Sequence, residues 1–188
     1  MIIINEQQLP ILVNVLNEMN KAEIDKRMKD VDTNPTEAQK KAGNYRMAHI
    51  YVKGMNITIE NPKGSKRRYK NPDGSDGYNV MHNHYGYFNC SLGKDGDAVD
   101  VFIGPKIDNF ENVYVVDQNN EEGDFDESKV MLGFDDKKKA KDAYMSNYSG
   151  DWKGFRDITE VPLDIFKRWL YRGRKQRIPF SEYVAFQK

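Results

Sequence analysis

From Tyr45 onward the apolar residues stop recurring at helical spacing and begin to alternate, and this change of period limits what the chain can become. Residues 49–52 and 55–60 read as short strands joined at Lys53-Gly54. Ile57 and Ile59 fall on one face of the second, Thr58 and Glu60 on the other. Strand-like pieces resume at 85–92, 98–103, 112–117 and 129–132, with turn residues between them. Short strands at this spacing predict a closed or nearly closed barrel rather than a parallel sheet. Residues 61–77, rich in Pro, Gly and basic side chains, read as a loop or loose hairpin.

Helical patterns bracket the strands. Leu9, Leu12, Val13, Leu16 and Met19 share one helix face, with Pro10 in the first turn; beyond Asn20 the pattern turns charged and should fray towards Asp30. Asn34 is positioned to cap a second helix, with Pro35 first in it, Glu37 reaching back and Gly43 as its stop. A helix over 136–147, capped by Asp135, carries Ala140, Ala143 and Tyr144. A last one over 163–170 turns Phe166, Trp169 and Leu170 inward. The expected organisation is α+β with a mainly β core: a helical arm over 1–44, a barrel domain over 45–170 and a tail over 171–188.

Composition removes several function classes. With 38% hydrophobic and 12% aromatic residues, the 188-residue chain can bury a core, so global disorder is excluded. Basic and acidic side chains number 29 each, which argues against a protein that coats nucleic acid or an anionic membrane with its whole surface. The lone Cys90 excludes a disulfide framework and a Cys-rich zinc module. Residues 1–5 lack the basic start of a signal peptide, and no apolar run is long enough to span a bilayer. A soluble, cytoplasmic protein is expected.

Three clusters can carry chemistry. Asp95, Asp97 and Asp100 stand immediately before or at the start of an apolar strand, and Gly96 allows a bend that would make them converge. Like charges this close repel unless cations neutralise them, and hard oxygens without Cys or His suit Mg²⁺ or Mn²⁺ better than zinc. An exposed acidic turn is the plain alternative. A second acidic group runs from Asp117 to Glu127; Asp117 ends an apolar strand, and Asp126 is followed by Lys129 on the return strand. Between Lys63 and Lys70 lie five basic residues in eight, either a solvated loop or the cationic partner of the carboxylates. Tyr85, ahead of the acidic turn, can offer its phenol to phosphate, whereas Tyr87 is expected in the core. His82, His84 and Cys90 lack a fourth zinc ligand at motif spacing.

Taken together, Tyr85-Gly86-Tyr87 followed by Asp95-Gly96-Asp97-Ala98-Val99-Asp100 resembles the soluble, metal-dependent inorganic pyrophosphatases. The resemblance implies a five-stranded OB-type barrel. It also implies that Asp95 and Asp100 are the primary metal ligands and Asp97 the general base. Glu60 would hold a further metal through water, and Asp117 and Asp126 would be the later metal-binding pair. Lys129, Tyr85 and Tyr148 would contact phosphate, joined by one or more of Lys66, Arg67 and Arg68. Residues 34–39, Gly43-Asn44-Tyr45, 59–65 and 125–134 are similar to the divergent pyrophosphatase-like domains of phage and mobile-element proteins, which would place the chain in a host cytoplasm.

What this implies is Mg²⁺-dependent hydrolysis of pyrophosphate to two phosphates by a metal-activated water, with a small phosphate compound as substrate, no membrane partner and no nucleic acid. A homo-oligomer is compatible with it. Two alternatives stay open: hydrolysis of a nucleotide or nucleotide-like signal with an internal phosphoanhydride, and a catalytically inactive phage module that binds a host protein or nucleic acid through the basic loop.

Overall fold

The computed structural model describes residues 18–71, 73–150, 152–171 and 177–186. Its strands are β1 (Ala48–Val52), β2 (Met55–Asn61), β3 (Lys66–Lys70), β4 (Asp76–Val80), β5 (His84–Phe88), β6 (Asp100–Ile103), β7 (Asn112–Asn119), β8 (Phe125–Leu132) and β9 (Phe155–Pro162). Its helices are α1 (Lys21–Met28), α2 (Glu37–Ala42), α3 (Lys137–Ser146), α4 (Leu163–Tyr171) and α5 (Phe180–Ala185). The helix read around Leu9 to Leu16 lies outside the described residues.

Seven strands form one sheet in the order β1-β2-β5-β6-β8-β7-β9, while β3 and β4 form a separate hairpin. Pairing is antiparallel throughout except between β6 and β8. The mainly β core with flanking helices is the expected α+β organisation; the sheet ends at β1 and β9 and is not closed, where a closed or nearly closed barrel was expected. One unforeseen strand contributes to this. Only Ile158 and Val161 of β9 are buried, so its sequence lacks the alternation that marks the other strands.

Local chemistry explains the turns. Lys53 (φ 49°) and Gly54 (φ 75°) both take left-handed conformations, the two-residue turn that matches the twist of an antiparallel pair. Gly86 is required for another reason: a Cβ there would lie 1.9 Å from the Thr58 carbonyl oxygen of β2. The Tyr-Gly-Tyr run is thus a strand pressed against its neighbour where the β2–β5 register slips.

The N-terminal part departs from expectation in its caps. Asn20 begins a helix rather than fraying one, through a reciprocal capping box with Glu23. Thr36, not Asn34, caps α2, with Gln39 in the reciprocal position, and Gly43 ends it at φ 62°. Asp136, not Asp135, caps α3. Alternate residues send apolar side chains to opposite faces of the sheet. One face packs Val113, Val115, Val130 and Leu132 against Ile24 and Met28 of α1, Phe166, Trp169 and Leu170 of α4, and Phe180 of α5. The other packs Phe102, Tyr114, Val116 and Met131 against Ala140 and Tyr144 of α3. No described helix is long and apolar enough to cross a membrane.

Candidate active site

The parallel pair β6–β8 sets Val101 beside Val130, so Asp100 and Lys129, one residue earlier on each strand, share the sheet face of Phe102 and Met131. Lys129 is 3% exposed, and its Nζ lies 2.5 Å from Asp100 and 2.8 Å from Glu127. The Tyr85 hydroxyl donates to the same Asp100 oxygen. Burial works to discharge the ammonium. The Tyr85 and Tyr148 hydroxyls and the Asp100 and Glu127 carboxylates outweigh it, and its pKa lies well above the usual lysine range. Burial also pushes the Glu127 carboxyl upward, only partly offset by Lys129, and raises both the Tyr85 and the Tyr148 phenol.

Of the three adjacent cations in β3, one turns inward. Arg67 lies over the Tyr85 ring, 4.5 Å from its centroid, whereas Lys66 covers Tyr78 within the hairpin and Arg68 is exposed. Burial opposes the Arg67 charge, but Tyr85, Tyr148, Asp100 and Glu127 together raise its pKa. Tyr148 stacks on Trp152 at 4.6 Å between centroids and donates to Gln118 Oε1 at 3.2 Å.

The acidic turn does not converge as a unit. The Asp97 N–H donates to the Asp95 carboxylate at 3.1 Å, and Gly96 turns the chain at φ 95°. Both aspartates are exposed. Glu60, Tyr87, Asp97, Ala98 and Asp100 line one cavity of about 290 Å³. Asp95 is not among the lining residues, and Tyr87, expected in the core, is half-buried and forms part of the wall. Tyr45 donates to Glu60 at 2.8 Å.

The later acidic pair separates. Asp117 is fully buried among donors from Ser128, Phe180 and Ser181, on the sheet face away from Asp100. Asp126 accepts from Gln118 at 3.2 Å. The carboxylate that joins Lys129 is Glu127. The sequence reading names it only as the end of the second acidic group, although it stands two residues from Lys129 and so on the same strand face. Gln118 was also missed; buried at 5% exposure, it bonds Tyr144, Tyr148, Asp126 and Glu127.

The family model for Inorganic Pyrophosphatase matches residues 37–171, well over half of the chain. The chain belongs to the inorganic pyrophosphatase family. No curated protein matches the sequence. Membership in this family of hydrolases assigns a pyrophosphatase-like function in general terms, and every side chain of the Asp100–Lys129 cluster falls inside the matched segment.

Pyrophosphatases of this family generally use divalent metals. Among the described residues, no three His, Cys, Asp or Glu side chains gather closely enough to hold one ion. The donor set still fits a hard cation. Glu60 and Asp97 face the same cavity as Asp100, all three offer carboxylate oxygens, and neither Glu60 nor Asp97 makes an ion pair among the described residues.

Proposed function

We propose that the chain hydrolyses inorganic pyrophosphate to two phosphates in a reaction that requires Mg²⁺ or Mn²⁺. The observation that supports this reading best is the juxtaposition of opposite charges. The Lys129–Asp100–Tyr85–Glu127 cluster, with Arg67 over Tyr85, adjoins a cavity that Glu60, Asp97 and Asp100 line with carboxylates.

Asp100 would hold the metal directly, with Glu60 and Asp97 reaching it through water and Glu127 behind Lys129; a divalent ion there supplies charge neutralisation and a water of lowered pKa. Asp97 is exposed on the cavity wall and is assigned as the acceptor of the proton from the attacking water. The water oxygen bonds to one phosphorus as the bridging P–O bond breaks, and the second phosphate departs with that electron pair. Arg67 and Lys129 are cationic, and the Tyr85 and Tyr148 phenols keep their protons at neutral pH. Arg67 and Lys129 present N–H donors to the phosphate oxygens as charge develops, and the two phenols would do so by turning from Asp100 and Gln118.

The test is phosphate release from pyrophosphate with and without Mg²⁺. Asp100→Asn should lower kcat by about a hundredfold or more while leaving circular dichroism unchanged. Undiminished turnover in that variant would remove the site, and no metal-dependent release by the parent chain would remove the function.

A longer phosphoanhydride is a second reading, and one observation favours it. A cavity of about 230 Å³, lined by Asp32, Thr33, Lys40, Lys66, Arg67 and Arg68 among others, shares Glu60 with the first. Comparing pyrophosphate with tripolyphosphate and nucleoside triphosphates separates the readings. A higher kcat/KM for the longer compounds would favour the second.

A further inference from the structure

The dipeptide Asp117-Gln118 in β7 faces both sides of the sheet. Asp117 has no exposed surface. Its Oδ1 accepts from Ser128 Oγ at 2.9 Å and the Phe180 N–H at 2.7 Å, and its Oδ2 from the Ser181 N–H at 3.0 Å and Ser181 Oγ at 2.8 Å. Phe180 and Ser181 open α5, which has no side-chain cap of its own. On the opposite face Gln118 Oε1 accepts from the Tyr144 and Tyr148 hydroxyls, at 2.9 and 3.2 Å. Its Nε2 donates to Asp126 at 3.2 Å and to Glu127 at 3.1 Å.

Both ladders slip at this dipeptide. The register against β9 shifts between Asp117 and Gln118, and the register against β8 shifts between Gln118 and Asn119. A strand whose two neighbours lose register at one point is not held there by main-chain pairing alone. Side-chain bonds add to the pairing that persists on either side of the slips, and those to a carboxylate are about twice as strong as neutral ones.

We infer that Asp117 is a positioning residue: α5, docked on its carboxylate, fixes the pose of Gln118 and through it Glu127 and Tyr148 on the far side of the sheet. This rests on the proposed function only for its rate measurement, because the two tryptophans supply an independent readout. Trp152 donates to the Tyr144 hydroxyl at 3.0 Å and stacks on Tyr148, whereas Trp169 meets Phe180 edge-on at 4.9 Å.

The experiment labels the full chain with fluorotryptophan and compares ¹⁹F spectra and phosphate release for Asp117→Asn, Phe180→Ala and Ser181→Ala. Undocking α5 from its own side, by Phe180→Ala or Ser181→Ala, should shift the Trp152 resonance as well as that of Trp169. Asp117→Asn and Phe180→Ala should each lower kcat by about tenfold, with the Mg²⁺ concentration for half-maximal rate unchanged and the double variant no slower than either single one. A Trp152 resonance that stays in place while Trp169 moves would overturn the inference, leaving α5 a purely local prop. So would a raised Mg²⁺ requirement confined to Asp117→Asn, which would make that carboxylate a ligand. Should the two stronger variants fail to fold, the Trp152 shift in Ser181→Ala decides. If the parent chain releases no phosphate, the functional reading fails while the ¹⁹F result still stands or falls alone.

Discussion

At the scale of single residues, Lys129 is the most consequential side chain of the site. A buried ammonium flanked by Asp100 at 2.5 Å and Glu127 at 2.8 Å is tolerable because each charge answers another. Removing it leaves two carboxylates with little water around them. Lys129→Met should therefore destabilise the fold by about 3–5 kcal/mol at neutral pH, measured as a change in urea unfolding. Burial already raises the Glu127 pKa, and loss of the lysine raises it further. A carboxyl with a raised folded-state pKa destabilises the folded state when it ionises, so the penalty should shrink as pH falls from 7 towards 5. A deficit of equal size at both pH values would show that the lysine acts through packing. Asp100, Lys129 and Tyr85 could each be singled out in the sequence, because each stands in or beside a short run of unusual charge, whereas Arg67 was only one of three adjacent cations. Glu127 could not be, since six acidic residues crowd 117–127 and composition alone cannot say which of them a strand turns inward.

Elements settle what composition cannot. Along β8 the alternation puts Glu127, Lys129 and Met131 on one face and Ser128, Val130 and Leu132 on the other; Asp117 sits opposite Ser128 in the β7–β8 ladder. Applied to residues 125–132, the same period would have selected Glu127 once the strand was known to begin at Phe125 rather than at Lys129. The basic hairpin has its own tether. The Lys63 N–H, at the hairpin's base, donates to His84 Nδ1 at 2.9 Å, which leaves Nε2 to carry the ring proton towards Asp25 of α1 at 3.3 Å. Burial pulls the His84 pKa below its ordinary 6.5, outweighing Asp25. The unfolded chain thus takes up this proton more readily than the folded one. The associated stability is present above pH 6.5 and is lost as pH falls through the folded-state pKa. Urea midpoints should decline between pH 7.5 and 5, and His84→Gln should flatten that part of the decline. An unchanged slope in the variant would place the acid sensitivity elsewhere.

For the whole molecule, charge balance and topology act together. The chain carries no net charge, yet Glu60 and Asp97 face one cavity with Asp100 and have no cationic partner among the described residues. The antiparallel hairpins were legible from alternation and turn residues. The parallel β6–β8 pair that brings Asp100 to Lys129 was not, because nothing local to either segment specifies a partner about thirty residues away. Polar β9 likewise left no periodic trace, so a sheet of seven strands was not foreseen. On the proposed reading, the carboxylates of β2, the 95–100 turn and β6 form one cation site that a divalent ion occupies only in the folded state. Mg²⁺ at a hundredfold excess over its dissociation constant should stabilise the chain by about 2.7 kcal/mol, roughly 5–10 °C in Tm for a domain of this size. Equal ionic strength supplied as NaCl should not do so, because screening acts on exposed charges in either state. Asp97→Asn should blunt the Mg²⁺ response. A Tm indifferent to Mg²⁺ in the parent chain, or an undiminished response in Asp97→Asn, would mean that these three carboxylates do not act as one cation site.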